Sequence, residues 1–280
     1  MNAISINACA KLNLTMEVLG RREDGYHDIR SVMQFITLSD IVELAEDDKL
    51  SFWCDDESLC GEDNLAMKAY RLMENRFGAK PLSIRLYKNI PCMSGMGGGS
   101  ADCAAVLAGI NHMQQLGVSF KELAKASATL GADVPACLAG GTLIAEGIGE
   151  RITQLAQKKP LHFNIIKPQV AFSTPEMYTK MDSTGGFAKA GGQQSMITAV
   201  TEGNAFTVAA GLYNSFEAVA QPYEEISKAK QILLKSGALG ASMTGAGSAV
   251  FGIFADEATA KKAFTAIARK GVEVYRCQSV

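Results

Sequence analysis

The chain has 280 residues, 48% hydrophobic and 20% charged, which supplies enough apolar surface for one large or two medium globular domains and excludes a mainly disordered chain. Its formal net charge is −2 without a long basic or acidic run, so neither a nucleic-acid backbone nor an anionic membrane is an expected partner; a small molecule is. Seven cysteines, an odd number without a CxxC pair, read as reduced thiols, and the start MNAISINACAKLNL lacks the charged entry and apolar core of a signal peptide, so a cytoplasmic protein is expected.

In chain order, residues 4–18 alternate cleanly: Ile4, Ile6, Ala8, Ala10, Leu12, Leu14, Met16 and Val18 on one face, polar residues on the other. The pattern predicts a long, half-buried strand on which Lys11 and Asn13 point the same way, about 7 Å apart. They are open either to a common ligand or to solvent. After the turn GRREDGYHD at 20–28, strand-like runs continue to Leu44. A helix is predicted over 63–77, where Leu65, Ala69 and Leu72 repeat at helical spacing, and a strand over 82–87.

The strand leads into PCMSGMGGGSADCAA at 91–105, with Gly95, Gly97, Gly98 and Gly99 before a small-residue helix opened by Ser100 and Asp102. Glycines allow positive φ and close approach of backbone N–H groups, and a helix start adds unsatisfied donors, so a phosphate cradle is expected. Neither common nucleotide loop fits. No lysine precedes Ser100 as a Walker A loop requires, and Ser100 or Asp102 occupies the position where a dinucleotide fingerprint needs glycine.

That helix is expected to reach about 115, and another to run over 119–131 behind the capping box Ser119 and Glu122. In GADVPACLAGG, Asp133 stands two residues before Pro135 at a helix start, as a cap or as chemistry. A domain boundary is expected in the polar run 152–160. Beyond it come a strand over 162–166, a Gly/Ser/Gln-rich mobile loop over 183–195 and helices over 204–219 and 222–236. Two glycine-linked strands across 240–255, a helix over 257–270 and a strand over 272–276 close the chain. This order predicts an α+β sandwich, an antiparallel sheet backed by helices. His112, His162 and Trp53 carry no functional expectation.

Lys11 on its strand, the glycine loop, Asp133 in GADVP and the glycine-rich segment at 240–248 together resemble the GHMP kinases, whose Pro-x-x-x-Gly-Leu-Gly loop is matched with Met96 in place of leucine. AKLNL at 10–14, DGYH at 24–27, GGGSADCAA, GADVP and GGTLIAEGIGE at 140–150 narrow the resemblance to the branch acting on a cytidine diphosphate sugar-alcohol, on the non-mevalonate route to isoprenoid precursors. It spans nearly the whole chain. Departures are mild: Ala101 for a common Ser, Cys103 for a common Ala, and TGAGSAV in the late loop.

The resemblance implies an α+β, two-domain GHMP-kinase-like fold: an N-terminal α/β domain (1–155) with the ATP loop and catalytic residues, and a C-terminal ferredoxin-like α+β sandwich (156–280). It implies ATP and Mg²⁺, the metal held mainly by ATP phosphates with no protein ligand set. Lys11 and Asp133 would be catalytic. A nearby ammonium makes a carboxylate a weaker base, so Asp133 would chiefly orient the hydroxyl while Lys11 stabilises developing charge. Pro91, Cys92, Met93, Ser94, Gly95, Met96, Gly97, Gly98, Gly99, Ser100 and Ala101 would wrap the phosphates, and Asn64 would contact adenine. Asn13, Tyr26, His27 and Tyr178 would bind the second substrate, its base stacked on Tyr26 with Tyr178 opposite. Small molecules would be the only partners of a monomer or weak homodimer. The alternatives are a GHMP kinase for another small alcohol, such as homoserine or mevalonate, and a non-catalytic nucleotide-binding paralogue.

Overall fold

The alternating N-terminal residues form β1 (Ala3–Arg21), and the turn after them returns as β2 (His27–Glu46). The computed structural model describes residues 2–185, 187 and 193–280. The described chain divides into two compact units, one of Met1–Ala10, Ser39–Ile90 and Gly97–Gly140, the other of Lys11–Leu38, Pro91–Met96 and Gly141–Val280. These units interleave along the chain, whereas the sequence leads one to expect a single break at 155/156. β1, β2 and the glycine loop each contribute residues to both.

In the first unit, β3 (Ser51–Cys54) runs parallel to β4 (Leu82–Tyr87), and β4 pairs antiparallel with the end of β2, Val42 opposite Leu86. Four helices accompany them: α1 (Leu65–Phe77), α2 (Gly98–Met113), α3 (Phe120–Ser127) and α4 (Val134–Ala139). The capping box of Ser119 and Glu122 starts α3 as its sequence demands. Small residues along α2 let it bury Ala101, Cys103, Ala104, Ala105, Val106 and Leu107 in the core. Its approach to the strands is close. A Cβ at Gly109 would lie 2.5 Å from Leu44 Cδ1 and 2.6 Å from Ile6 Cδ1, so those side-chain ends would have to repack to admit it.

The second unit continues with the hairpin β5 (Thr142–Gly147) and β6 (Arg151–Leu155), then β7 (His162–Ile166), α5 (Thr174–Thr184), α6 (Gln193–Glu202) and α7 (Ala205–Ala210). β8 (Tyr213–Asn214), α8 (Glu217–Ala220), α9 (Glu224–Lys235), β9 (Gly240–Met243), β10 (Val250–Phe254), α10 (Glu257–Ala268) and β11 (Val274–Gln278) complete it. The predicted antiparallel sheet is present, in the order β11-β7-β10-β9, with α9 and α10 packed on it. β5 pairs with residues 29–34 of β2.

Three expectations change. The polar face of β1 is not half-solvated between 11 and 17: Lys11, Asn13, Thr15 and Glu17 are all buried, and partners inside the fold take up polar atoms of the first three, as Val32 N–H does in donating to Thr15 Oγ1. The helix expected over 204–219 is α7 and α8 separated by β8, because Tyr213 and Asn214 pair in parallel with Thr15 and Met16 of β1. Of the loop expected over 183–195, Ser183 and Thr184 end α5 and Gln193 to Ser195 begin α6; residues 186 and 188–192 lie outside the described residues.

Candidate active site

In the second unit the site is built around Lys11. A strand buried on both faces carries its ammonium at only 4% residue exposure, where an unsatisfied charge would be costly. Lys11 Nζ donates to Asn13 Oδ1 at 2.6 Å, Asn13 Nδ2 donates to Ser31 Oγ at 2.8 Å, and Ser31 Oγ donates to the Thr15 carbonyl at 2.6 Å. This chain fixes the direction of the ammonium. The Lys11 N–H donates to the Met96 carbonyl at 2.9 Å, so the first half of the glycine loop lies along the strand that bears the lysine.

The late glycine segment packs on that same half-loop. Ala249 N–H donates to the Ser94 carbonyl at 3.0 Å, and Asn13 N–H donates to Thr244 Oγ1 at 3.0 Å. Gly95, at φ +76°, admits no side chain: a Cβ there would lie 2.2 Å from the Thr244 carbonyl oxygen. Gly245, at φ +53°, leaves room beside the lysine, since a Cβ would come within 3.2 Å of Lys11 Nζ. Two residues without a sequence signature hold the late segment. Asn214 Nδ2 donates to the carbonyls of Met243 (2.7 Å) and Gly245 (2.9 Å), and Glu217 Oε1 accepts from Met243 N–H and Ser242 Oγ, both at 2.8 Å.

The other half of the loop belongs to the first unit. Gly97 takes left-handed φ and ψ (75°, 23°) at the N-cap of α2, so the helix begins at Gly98, not at Ser100. No side chain caps its first turn, whose N–H groups remain able to receive an anion. Asp102 does not open the helix either. It is buried, and its Oδ2 accepts from Lys88 Nζ at 2.6 Å; Lys88 also pairs with Asp40, whose Oδ1 accepts from the backbone of Asn89 (2.6 Å) and Ile90 (2.8 Å). The ion triad thereby ties the segment entering the loop to the helix leaving it. Burial pushes the Asp102 carboxyl up to about 7, against the attraction of Lys88 and with the help of the Asp40 charge. Its Oδ1 has no hydrogen-bond partner among the described residues.

Asp133 occupies the N-cap position of α4, half-buried, with Pro135 in the first turn, yet its side chain makes no capping hydrogen bond. Within the same unit Gly131 lies beside the loop helix, a Cβ there standing 3.7 Å from Ser100 Oγ. Asn64 caps α1: its Oδ1 accepts from Ala66 N–H at 2.8 Å and its Nδ2 donates to the Leu59 carbonyl at 3.0 Å.

A third group gathers in the second unit. The His27 ring stacks on Tyr178 with centroids 4.4 Å apart and planes at 18°, and its Nε2 lies 2.7 Å from Asp182 Oδ1. Tyr178 in turn meets the Phe216 ring edge-on at 5.0 Å. His27 is buried, while Tyr26 is 60% exposed on the turn closed by Gly25. The structure thus brings His27 and Tyr178 together, with one face of Tyr178 on the histidine; Tyr26 stands apart as an exposed ring. Asp182 carries no sequence motif; its spacing of four from Tyr178 along α5 is the one available hint.

The N-terminal domain of the GHMP kinases matches residues 64–141, and their C-terminal domain matches residues 196–273. The chain belongs to the GHMP kinase family. Among its relatives, 4-diphosphocytidyl-2-C-methyl-D-erythritol kinase of Caldanaerobacter subterraneus subsp. tengcongensis is 41% identical over 256 residues, spanning 90% of this chain and 88% of that protein. The enzyme of the same name from Caldicellulosiruptor saccharolyticus is 42% identical over 263 residues, 92% of this chain and 90% of that one. A crystal structure of 4-(cytidine 5'-diphospho)-2C-methyl-D-erythritol kinase superposes with a TM-score of 0.85 at 28% identity, covering 99% of this chain and all of the other. L. major mevalonate kinase, at 13% identity and a TM-score of 0.76 over 99% of this chain and 96% of its own, shares the fold.

Proposed function

We propose that this chain transfers the γ-phosphoryl group of ATP to the 2-hydroxyl of 4-diphosphocytidyl-2-C-methyl-D-erythritol, a step toward isoprenoid precursors. The observation that carries the reading is the buried Lys11 ammonium, aimed by Asn13 and lying on the strand that binds the glycine loop through Met96. Relatives of that name at about two-fifths identity along nine-tenths of the chain specify the substrate.

Phosphoryl transfer asks the protein mainly for positioning and charge stabilisation. Residues 91–101 wrap the ATP phosphates, with donors supplied by backbone N–H groups after Pro91 and by the uncapped first turn of α2. Asp133 orients the acceptor hydroxyl and receives its proton as the new O–P bond forms and ADP leaves. Lys11 stabilises the charge that develops on the transferring group. Hard oxygen donors such as the Ser100 hydroxyl at the start of α2 suit Mg²⁺, which when bound neutralises phosphate charge and is held mainly by ATP. Asn13 binds a substrate hydroxyl or phosphate beside the lysine. Asn64 reaches adenine with the second hydrogen of its amide, the first being donated to Leu59.

At the other end of the substrate, cytosine stacks on the exposed Tyr26, a contact worth about 1–3 kcal/mol, with His27 on Tyr178 reading its edge. The net charge of −2 without a long basic or acidic run supports small molecules as the partners of a monomer or weak homodimer acting in the cytoplasm. Incubation with ATP, Mg²⁺ and, separately, diphosphocytidyl-methylerythritol, mevalonate, galactose and homoserine tests the reading. Transfer to the first alone is expected; transfer only to one of the others overturns it.

A further inference from the structure

The group around His27 contains a residue whose chemistry the proposed reaction does not yet use. Asp182 approaches Nε2 of His27 at 2.7 Å, and Arg21 lies 3.6 Å from its second oxygen. An ionised carboxylate can only accept, so the nitrogen facing it carries the hydrogen. In a neutral imidazole one nitrogen donates and the other accepts; the proton on Nε2 therefore makes Nδ1 the acceptor. The ring cannot readily turn over to reverse these roles, because Tyr178 stacks on its face and its side chain is only 7% exposed. Tyr178 and Asp182 are four residues apart on α5, so one helix supplies both the plane that clamps the ring and the oxygen that sets its tautomer.

Cytosine and uracil differ at the position that such an acceptor meets. Cytosine carries an exocyclic amine, a donor, where uracil carries a carbonyl oxygen. We infer that Asp182 is a positioning residue for base specificity, holding His27 with Nδ1 as a hydrogen-bond acceptor that pairs with the exocyclic amine of a cytosine ring and opposes the carbonyl of uracil. The inference rests on the cytidine diphosphate substrate proposed above and adds the residue that lets the pocket tell this base from its nearest analogue.

Two measurements test it. The chain has three histidines, so nitrogen NMR of protein labelled with ¹⁵N-histidine can resolve each ring. At pH 8, His27 is expected to show a protonated Nε2 and a bare Nδ1; a hydrogen on Nδ1, alone or together with one on Nε2, overturns the inference whatever the activity. In kinetics with the cytidine substrate and its uridine counterpart, Asp182→Leu is expected to raise KM for the cytidine substrate and shrink the cytidine preference by about tenfold, the value of one hydrogen bond of about 1.4 kcal/mol. The loss falls on that KM rather than on kcat or on KM for ATP, and Asp182→Asn, which keeps an accepting oxygen, restores most of the preference. An unchanged preference in folded Asp182→Leu, or a loss that Asp182→Asn shares in full, refutes the role. Wild-type protein inactive toward the cytidine substrate would refute the proposed function instead, and the NMR result would still decide the tautomer.

Discussion

Lys11 is directed by three successive side-chain hydrogen bonds, and Asp133 sits at a helix start without capping it. Lys11→Ala and Asp133→Ala are each expected to lower kcat by about 10²–10⁴ while leaving KM for ATP within a few-fold, as steady-state kinetics will show; near-wild-type turnover in either removes it from the mechanism. Gly95→Ala is expected to abolish ATP binding by calorimetry and lower the melting temperature, because its Cβ would meet the Thr244 carbonyl oxygen at 2.2 Å from a backbone with φ +76°. Residue type and local spacing singled out Lys11, Asp133 and the glycines, and the family resemblance supplied the roles expected of them. Asp182, Asp40 and Lys88 were not legible, since their partners lie 155, 48 and 14 residues away and only folding unites them. Asp102 was legible as a polar helix residue and misplaced as a helix opener, because its true partner is Lys88.

Among the elements, α2 joins the phosphate loop to a buried ion triad. Two carboxylates share one ammonium there, and the Asp102 carboxyl titrates at about 7, well above the ordinary carboxylate range, chiefly through burial. Folding therefore favours its protonated form. Its contribution to stability is complete below the ordinary range and is lost as pH rises toward about 7. Asp102→Asn should flatten that part of the stability curve in urea titrations from pH 4 to 8; an unaltered slope would show that other groups set it. Lys88→Met leaves two uncompensated carboxylates in the interior and is expected to cost about 3–5 kcal/mol in the same titrations at pH 8; a loss below about 1 kcal/mol would mean that the triad is not a structural tie. Long elements with clear periodicity, such as β1, β4, α1 and α9, were readable. The two-residue β8 was not, because nothing local distinguishes Tyr213 and Asn214 from the helical residues around them.

For the molecule as a whole, the order of strands and helices announced an α+β fold, and family membership supports a phosphotransferase on it. The units were less legible than the class. A break at 155/156 falls at the end of β6 and between the two family matches, yet the second compact unit draws on both sides of it while the first lies wholly before it, since strands as long as β1 and β2 supply side chains to more than one core. Among the described residues no helix is long and apolar enough to cross a membrane. Light scattering behind size exclusion is expected to give a monomer at micromolar concentration; a dimer that survives dilution would contradict that. ³¹P NMR of the products formed from ATP and diphosphocytidyl-methylerythritol should show ADP and one new phosphomonoester on the tertiary 2-hydroxyl, formed in equal amounts; phosphate on another hydroxyl, or ADP with free phosphate and no ester, would contradict the account.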